Sequence, residues 1–190
     1  MYDGITSRAP RLTATVAKVA TAYRPSTWKE KGLWWTAGLF LVTYLGIVVV
    51  LGMIWSTSPG PFDVKEKTLL LVNNDPAKLV PGTFTVATAI GIAETLLNKS
   101  GGYLTNDIGL PGVYLDNIPN WEFGALTELR DLTSALRNDF ARSQSQSVED
   151  ADLQLAEPKF NYESNSWILP STESEYRDGV ALLKAFMGRL

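Results

Sequence analysis

Cysteine and histidine are both absent from the sequence. Their absence excludes thiol nucleophiles, disulfides, Cys/His zinc sites, haem ligation through either residue, and every triad built on an imidazole base. An excess of positive charge is missing too. The net charge is −3, which argues against general nucleic-acid binding. No phosphate loop, metal-ligand spacing, dinucleotide fingerprint or internal repeat is visible, so no cofactor or metal is expected. Charged residues make up 19 % against 45 % hydrophobic residues, which excludes a chain disordered throughout. At 190 residues there is room for one folded domain and little else.

What is present is a long uncharged run. Residues 32–55, GLWWTAGLFLVTYLGIVVVLGMIW, carry no charge. As a helix they extend roughly 36 Å, enough for a hydrocarbon core of about 30 Å. Trp28, Trp34 and Trp35 mark one interface and Trp55 the other, because an indole is apolar while its N–H wants water. A buried helix of a soluble protein is the bland alternative, and the length of the run speaks against it. A cleaved signal peptide would have a shorter apolar region and a small-x-small site, which Ser56 and Ser58 match weakly. The run therefore reads as an uncleaved signal anchor.

Flanking charge gives the orientation. Residues 1–31 carry a net +4 and residues 56–190 a net −7. Arg24, Lys29 and Lys31 lie nearer the span than Lys65 and Lys67. The positive-inside rule then puts the N-terminus in the cytoplasm and the main domain outside it. The lack of cysteine fits an oxidising compartment.

Four regions follow. Residues 1–31 form a basic tail in which Leu12, Val16, Val19, Ala20 and Tyr23 share one helical face. That pattern suits a helix lying on an anionic leaflet, and a disordered basic tail is the alternative. Pro25 ends the helix, and Thr27 with Glu30 has capping-box spacing for an early start of the membrane helix at 32–55. Gly38, Gly46 and Gly52 fall on one broad side of the span and offer a seat for a partner helix, without a G-x-x-x-G. Residues 56–82 read as a linker and an extended segment, with a short apolar run at 68–72.

Residues 83–190 read as a helical domain. One helix is expected over Thr83–Asn98, with Val86, Ile90, Ala93 and Leu97 in register and Gly101-Gly102 as its stop. A second is expected over 120–143, capped by Asn120, with Leu126, Leu129, Leu132, Thr133, Leu136 and Phe140 facing inward. A third is expected over 171–190, capped by Ser171, with Tyr176, Val180, Leu183, Met187 and Leu190 in register. A short helix before Pro158, near 149–157, is a further possibility. The 101–119 connection is long but too apolar for disorder, and reads as an ordered cover. The fold class is mainly α: one N-terminal transmembrane helix followed by an extracytoplasmic α-helical bundle with long ordered loops.

Four strings carry a resemblance: GGYLTND (101–107), PGVYLDNIPNWEFG (111–124), RDLTSALRNDFARSQSQS (130–147) and SWILPSTESEYRDG (166–179). They resemble a family of proteobacterial single-span inner-membrane proteins catalogued as a domain of unknown function. The resemblance covers residue 81 onward, with a matching span ahead of it. It implies an inner-membrane location with a periplasmic domain. It also implies that this chain corresponds to the N-terminal half of longer members. It implies no chemistry.

Catalysis would have to come from carboxylates. Asp107, Asp116 and Glu122 lie in or beside the long loop, and a carboxylate pair can do acid/base work on a glycan such as peptidoglycan. Each also has an ordinary place in a turn, a cap or a first helical turn. Arg137 and Arg142, near a helix end rich in hydroxyls, suit an anion or polymer, or simply a polar helix exit. Tyr114 and Trp121 suit a contact surface or the core. The expectation is a non-enzymatic accessory or scaffolding subunit of a membrane complex, with lipid and other membrane-protein subunits as partners and no nucleic acid. A glycan-binding protein or carboxylate-based glycan hydrolase is the alternative, and a membrane-anchored assembly factor a weaker one.

Overall fold

The computed structural model describes residues 9–140 and 149–190. Among these the chain is about 70 % helical, with eight α-helices and no strand, as a mainly α fold requires. It divides into two units, Met1–Val49 and Val50–Leu190.

The first unit holds α1 (Ala9–Ala22), α2 (Pro25–Lys31) and most of α3 (Leu33–Trp55). Thr27 and Glu30 do not form the expected capping box. Arg24 is the N-cap residue of α2, its side chain makes no cap bond, and Pro25 fills the first turn. Thr27 Oγ1 instead donates to the Thr21 carbonyl at 2.8 Å, and Trp28 Nε1 to the Ala22 carbonyl at 2.9 Å. The Ala22 carbonyl is one left open where α1 ends, while the Thr21 carbonyl also accepts the Arg24 N–H at 3.2 Å. Gly32, with φ at 83°, separates α2 from α3 in a backbone that side chains resist. The Trp28 and Phe40 rings meet edge-on at 5.3 Å. No residue of α3 is buried, and α3 is long and apolar enough to cross a membrane.

Residues 64–71, expected to be extended, form the helix α4 (Val64–Leu71). Asp63 caps it, its Oδ1 accepting the Glu66 N–H at 2.9 Å in the D-x-x-E spacing of a capping box. The apolar run at 68–72 is the end of a helix whose first turn is polar. Such a run is too short for periodicity to separate helix from strand.

α5 (Thr83–Asn98) has the bounds expected and forms the centre of the core. Val86, Ala87, Ala89, Ile90, Ala93 and Leu96 are fully buried. A helix apolar nearly all round must be covered on several sides, and α4, α6 and α8 cover it. Gly91 sits mid-helix, where glycine costs about 1 kcal/mol relative to alanine. A Cβ there would strike the Phe62 ring, so this glycine seats Phe62 against α5.

α6 (Asn117–Ala135) begins earlier than expected, and Asp116 rather than Asn120 is the N-cap residue. Pro119 reads as a boundary in sequence, but it lies in the first turn, where its missing N–H has no partner to lose. Leu126, Leu129, Thr133 and Leu136 are buried, and Leu132 is half-buried. One π-helical turn, Leu136–Phe140, extends α6. The Phe140 side chain and the expected end at Ser143 lie outside the described residues.

α7 (Ala151–Phe160) is capped by Asp150 and runs through Pro158 instead of stopping before it. Arg130 of α6 closes its far end, donating Nε to the Phe160 carbonyl at 2.7 Å and Nη2 to the Tyr162 carbonyl at 3.0 Å. α8 (Thr172–Met187) is capped by Ser171, as expected. Tyr176, Val180, Leu183 and Met187 are buried, but Leu190 lies past the helix end and is 39 % exposed, outside the stripe assigned to it.

Candidate functional site

The 101–119 loop is held from beneath by a buried ion pair. Lys99 follows the last turn of α5, and Glu122 lies in the second turn of α6. Their side chains are 3 % and 0 % exposed. Lys99 Nζ donates to Glu122 Oε1, to the Gly102 carbonyl, and to the Leu96 carbonyl at 3.1 Å. Glu122 Oε1 also accepts the Leu104 N–H at 2.8 Å, and Oε2 accepts the Thr105 N–H at 2.8 Å and the Thr105 hydroxyl. Every strong acceptor position of this carboxylate is in use, so one side chain fixes the start of the loop. Burial pushes the Lys99 pKa down, while the Glu122 charge works against that shift. Burial of an ion pair is tolerated only when its hydrogen bonds are complete, as they are here.

The loop continues over Asp107. This residue is half-buried, and a Cβ on Gly112 would collide with its carboxylate. The turn Gly112–Tyr114 is therefore folded directly onto it. Burial raises the Asp107 pKa, the negative Glu173 and Glu122 raise it further, and Lys99 opposes them. Asn106 Nδ2 bridges outward, donating to Glu173 Oε2 at 2.9 Å and to the Ser166 carbonyl at 2.8 Å. Asp116 is exposed at the start of α6, and its carbonyl accepts the Asn120 N–H at 3.1 Å. The three carboxylates considered for acid/base work thus occupy three different settings: sealed, covered and solvated.

A groove of about 430 Å³ is lined mainly by Pro59, Pro61, Phe62, Ile92, Trp121 and Ala125, with Thr95 and Glu128 also contributing. Trp121 is half-buried in its wall. Tyr114 stands on the loop at 82 % exposure. Arg137 is occupied within the fold: Nε and Nη2 donate to Glu149 at 3.0 and 2.8 Å, and Nη1 to Glu157 at 2.6 Å. Arg142 lies outside the described residues. Among the described residues, none comes within 4 Å of a Cβ position at Gly38 or Gly46, whereas Gly52 meets Pro111 at 3.5 Å from its Cβ position. Trp34 is 89 % and Trp35 38 % exposed. The indole N–H of Trp28 is used on Ala22. Trp55 lies over Gly101, where a Cβ would come within 2.8 Å of the indole. Gly101 also has φ at 86°, so two separate constraints keep a side chain away from that position.

Sequence reasoning missed Lys99, Thr105 and Phe62. Lys99 sits in Asn98-Lys99-Ser100-Gly101, which reads as a polar helix exit. Nothing in its spacing pairs it with residue 122. Phe62 beside Pro61 reads as linker, and only the Gly91 contact reveals its seat.

A family profile described as DUF2333, an uncharacterized protein conserved in bacteria, matches residues 28–190. The chain belongs to this family. The match takes in α3 and the whole helical domain, and begins within α2. No curated protein and no solved structure matches the chain. Among the described residues, no group of three Asp or Glu side chains is placed to hold a metal ion.

Proposed function

We propose that this DUF2333 member is a single-pass bacterial inner-membrane protein whose helical domain serves as an accessory or scaffolding subunit of a larger membrane complex. In this reading α3 crosses the bilayer, the basic tail stays in the cytoplasm and the domain lies in the periplasm. The apolar, unburied surface of α3 and the charge difference between residues 1–31 and 56–190 support the placement. Val16 and Val19 of α1, 67 % and 55 % exposed, suit the headgroup layer of the cytoplasmic leaflet.

The observation that carries the choice of a contact role over a catalytic one is the state of Glu122. It is fully buried and fully hydrogen-bonded, so it holds the loop and has no free oxygen for a substrate. The domain does offer an outward apolar depression, the groove beside Trp121. Aromatic side chains in shallow apolar depressions are the usual anchors of protein contacts.

Site-specific photo-crosslinking in cells tests this. A photoreactive residue at Trp121 is expected to give one defined adduct with another membrane protein, and the same residue at Arg177 none. Absence of any adduct from Trp121, together with release of soluble fragments from purified peptidoglycan by the isolated protein, would overturn the reading in favour of a glycan hydrolase.

A further inference from the structure

The end of α3 and the 101–119 loop are stitched together inside the second unit. Pro111 rests on Gly52, which lies one turn before the end of α3. Trp55 covers Gly101. Asn117 Nδ2 donates to the Ser56 carbonyl at 2.8 Å and to its hydroxyl at 2.9 Å. The loop is thereby held at the level of the last helical turn.

On either side of the buried Pro111, the loop turns apolar side chains outward. Ile108 is 65 %, Leu110 38 %, Val113 54 % and Tyr114 82 % exposed. No charged residue occurs between Asp107 and Asp116. A second loop adjoins the first. Tyr103 donates its hydroxyl to the Ser164 carbonyl at 3.0 Å, and Asn106 reaches the Ser166 carbonyl. The Ser166 hydroxyl, 2.9 Å from the Pro170 carbonyl, closes this second loop into a tight turn. That turn holds out Trp167, Ile168 and Leu169, which are 54 %, 61 % and 94 % exposed. It too is free of charge from residue 164 to residue 172. Soluble surfaces carry single exposed apolar residues, but seldom two adjacent uncharged loops of them. Trp and Tyr at such tips match the preference of both residues for the headgroup level.

Resting on the reading of α3 as a membrane span, we propose that loops 108–114 and 167–169 form a second membrane contact. They enter the interfacial layer of the leaflet in which α3 ends, so the domain is held against the bilayer and not merely tethered to it. The occupant follows from continuity. Gly52 and Trp55 belong to the span, and Pro111 and Gly101 lie on them, so the lipid that meets the end of α3 is the nearest apolar phase available to these side chains. Interfacial segments of this kind sink roughly 5–10 Å into the headgroup and acyl boundary.

The chain has no cysteine, so Val113→Cys, Leu169→Cys, Leu45→Cys and Ala135→Cys each give a unique thiol for a bimane label. The full chain is reconstituted into vesicles of phosphatidylethanolamine and phosphatidylglycerol. These carry a doxyl quencher either near the carbonyl end of the acyl chain or near its terminus. Labels at 113 and 169 are expected to lose fluorescence with the shallow quencher, the label at 45 with the deep one, and the label at 135 with neither. Quenching at 45 without quenching at 113 or 169 would overturn the two-loop contact and leave the anchor standing. No quenching at 45 would overturn both. Equal quenching at 113, 169 and 135 would also overturn the proposal, since the loops would then have no special depth.

Discussion

α3 and α5 are both strongly apolar helices, and they end in opposite circumstances. In α3 no residue is buried, whereas α5 has nine buried residues among sixteen. Size of side chain separates them. α5 intersperses Ala87, Ala89, Gly91 and Ala93 among its larger residues, so neighbouring helices and Phe62 approach closely. α3 carries bulky Leu, Val, Ile and Trp side chains around most of its circumference. Apolarity says that a helix must be covered. The distribution of small residues says whether protein packs closely enough to cover it.

The largest effect is expected where charge enters the domain. Glu122→Ala leaves the Lys99 ammonium buried and the Leu104 and Thr105 N–H groups without their acceptor. It should destabilise the domain by about 3–5 kcal/mol. Urea unfolding of the detergent-solubilised protein, followed by tryptophan fluorescence, measures this. A cost under about 1 kcal/mol, the size of a surface pair, would break the contrast, because the ion pair would then be no more than a surface feature.

Ile90→Ala and Ile47→Ala sharpen the comparison directly. Ile90 is 0 % exposed and Ile47 is 53 % exposed. The first should cost about 2–5 kcal/mol through lost transfer energy and a cavity, and the second close to nothing in the same unfolding assay. Equal costs would mean that α3 is packed by protein after all.

Smaller effects are expected from titration at the edge of α5. Burial tends to raise the Glu94 pKa, but the hydrogen bonds and charges of Lys184 and Lys67 outweigh it and hold the carboxyl below its ordinary 4.5. The pairing therefore stabilises fully above that value and is lost as pH falls through the lowered one. Glu94→Gln should remove about 1 kcal/mol or less at neutral pH and flatten the acid limb of the stability curve. Asp107 has the opposite sign. Its raised pKa means the folded state favours the protonated form, so stability declines as pH rises through that value. Asp107→Asn should give a slight gain at neutral pH and abolish that decline, read from melting temperatures across pH.

Much of this architecture is legible in the chain. α3 follows from an uncharged run, α5 from its stripe and the following Gly101-Gly102, and α8 from its Ser171 cap. The errors have local causes. α4 hid behind an apolar run too short to show a period, although Asp63 and Glu66 already had capping spacing. Pro119 and Pro158 read as boundaries, yet one lies in a first turn and the other inside α7. The site was less legible. Glu122 stands out in sequence, but its role depends on Lys99, which pairs with it across a loop closure that no spacing encodes. Arg137 read as an anion site or a polar helix exit because its partners lie far along the chain, Glu149 just before the cap of α7 and Glu157 within it.

The central claim is that the domain works by contact, through an apolar surface that includes Trp121. Its most direct test is the intact mass of the particle purified from native membranes in mild detergent, for the wild-type chain and for Trp121→Glu. The account predicts a stoichiometric second membrane protein with the wild type and its loss from the variant, with the variant still folded. A wild-type particle consisting of a single copy of this protein and lipid alone would contradict it.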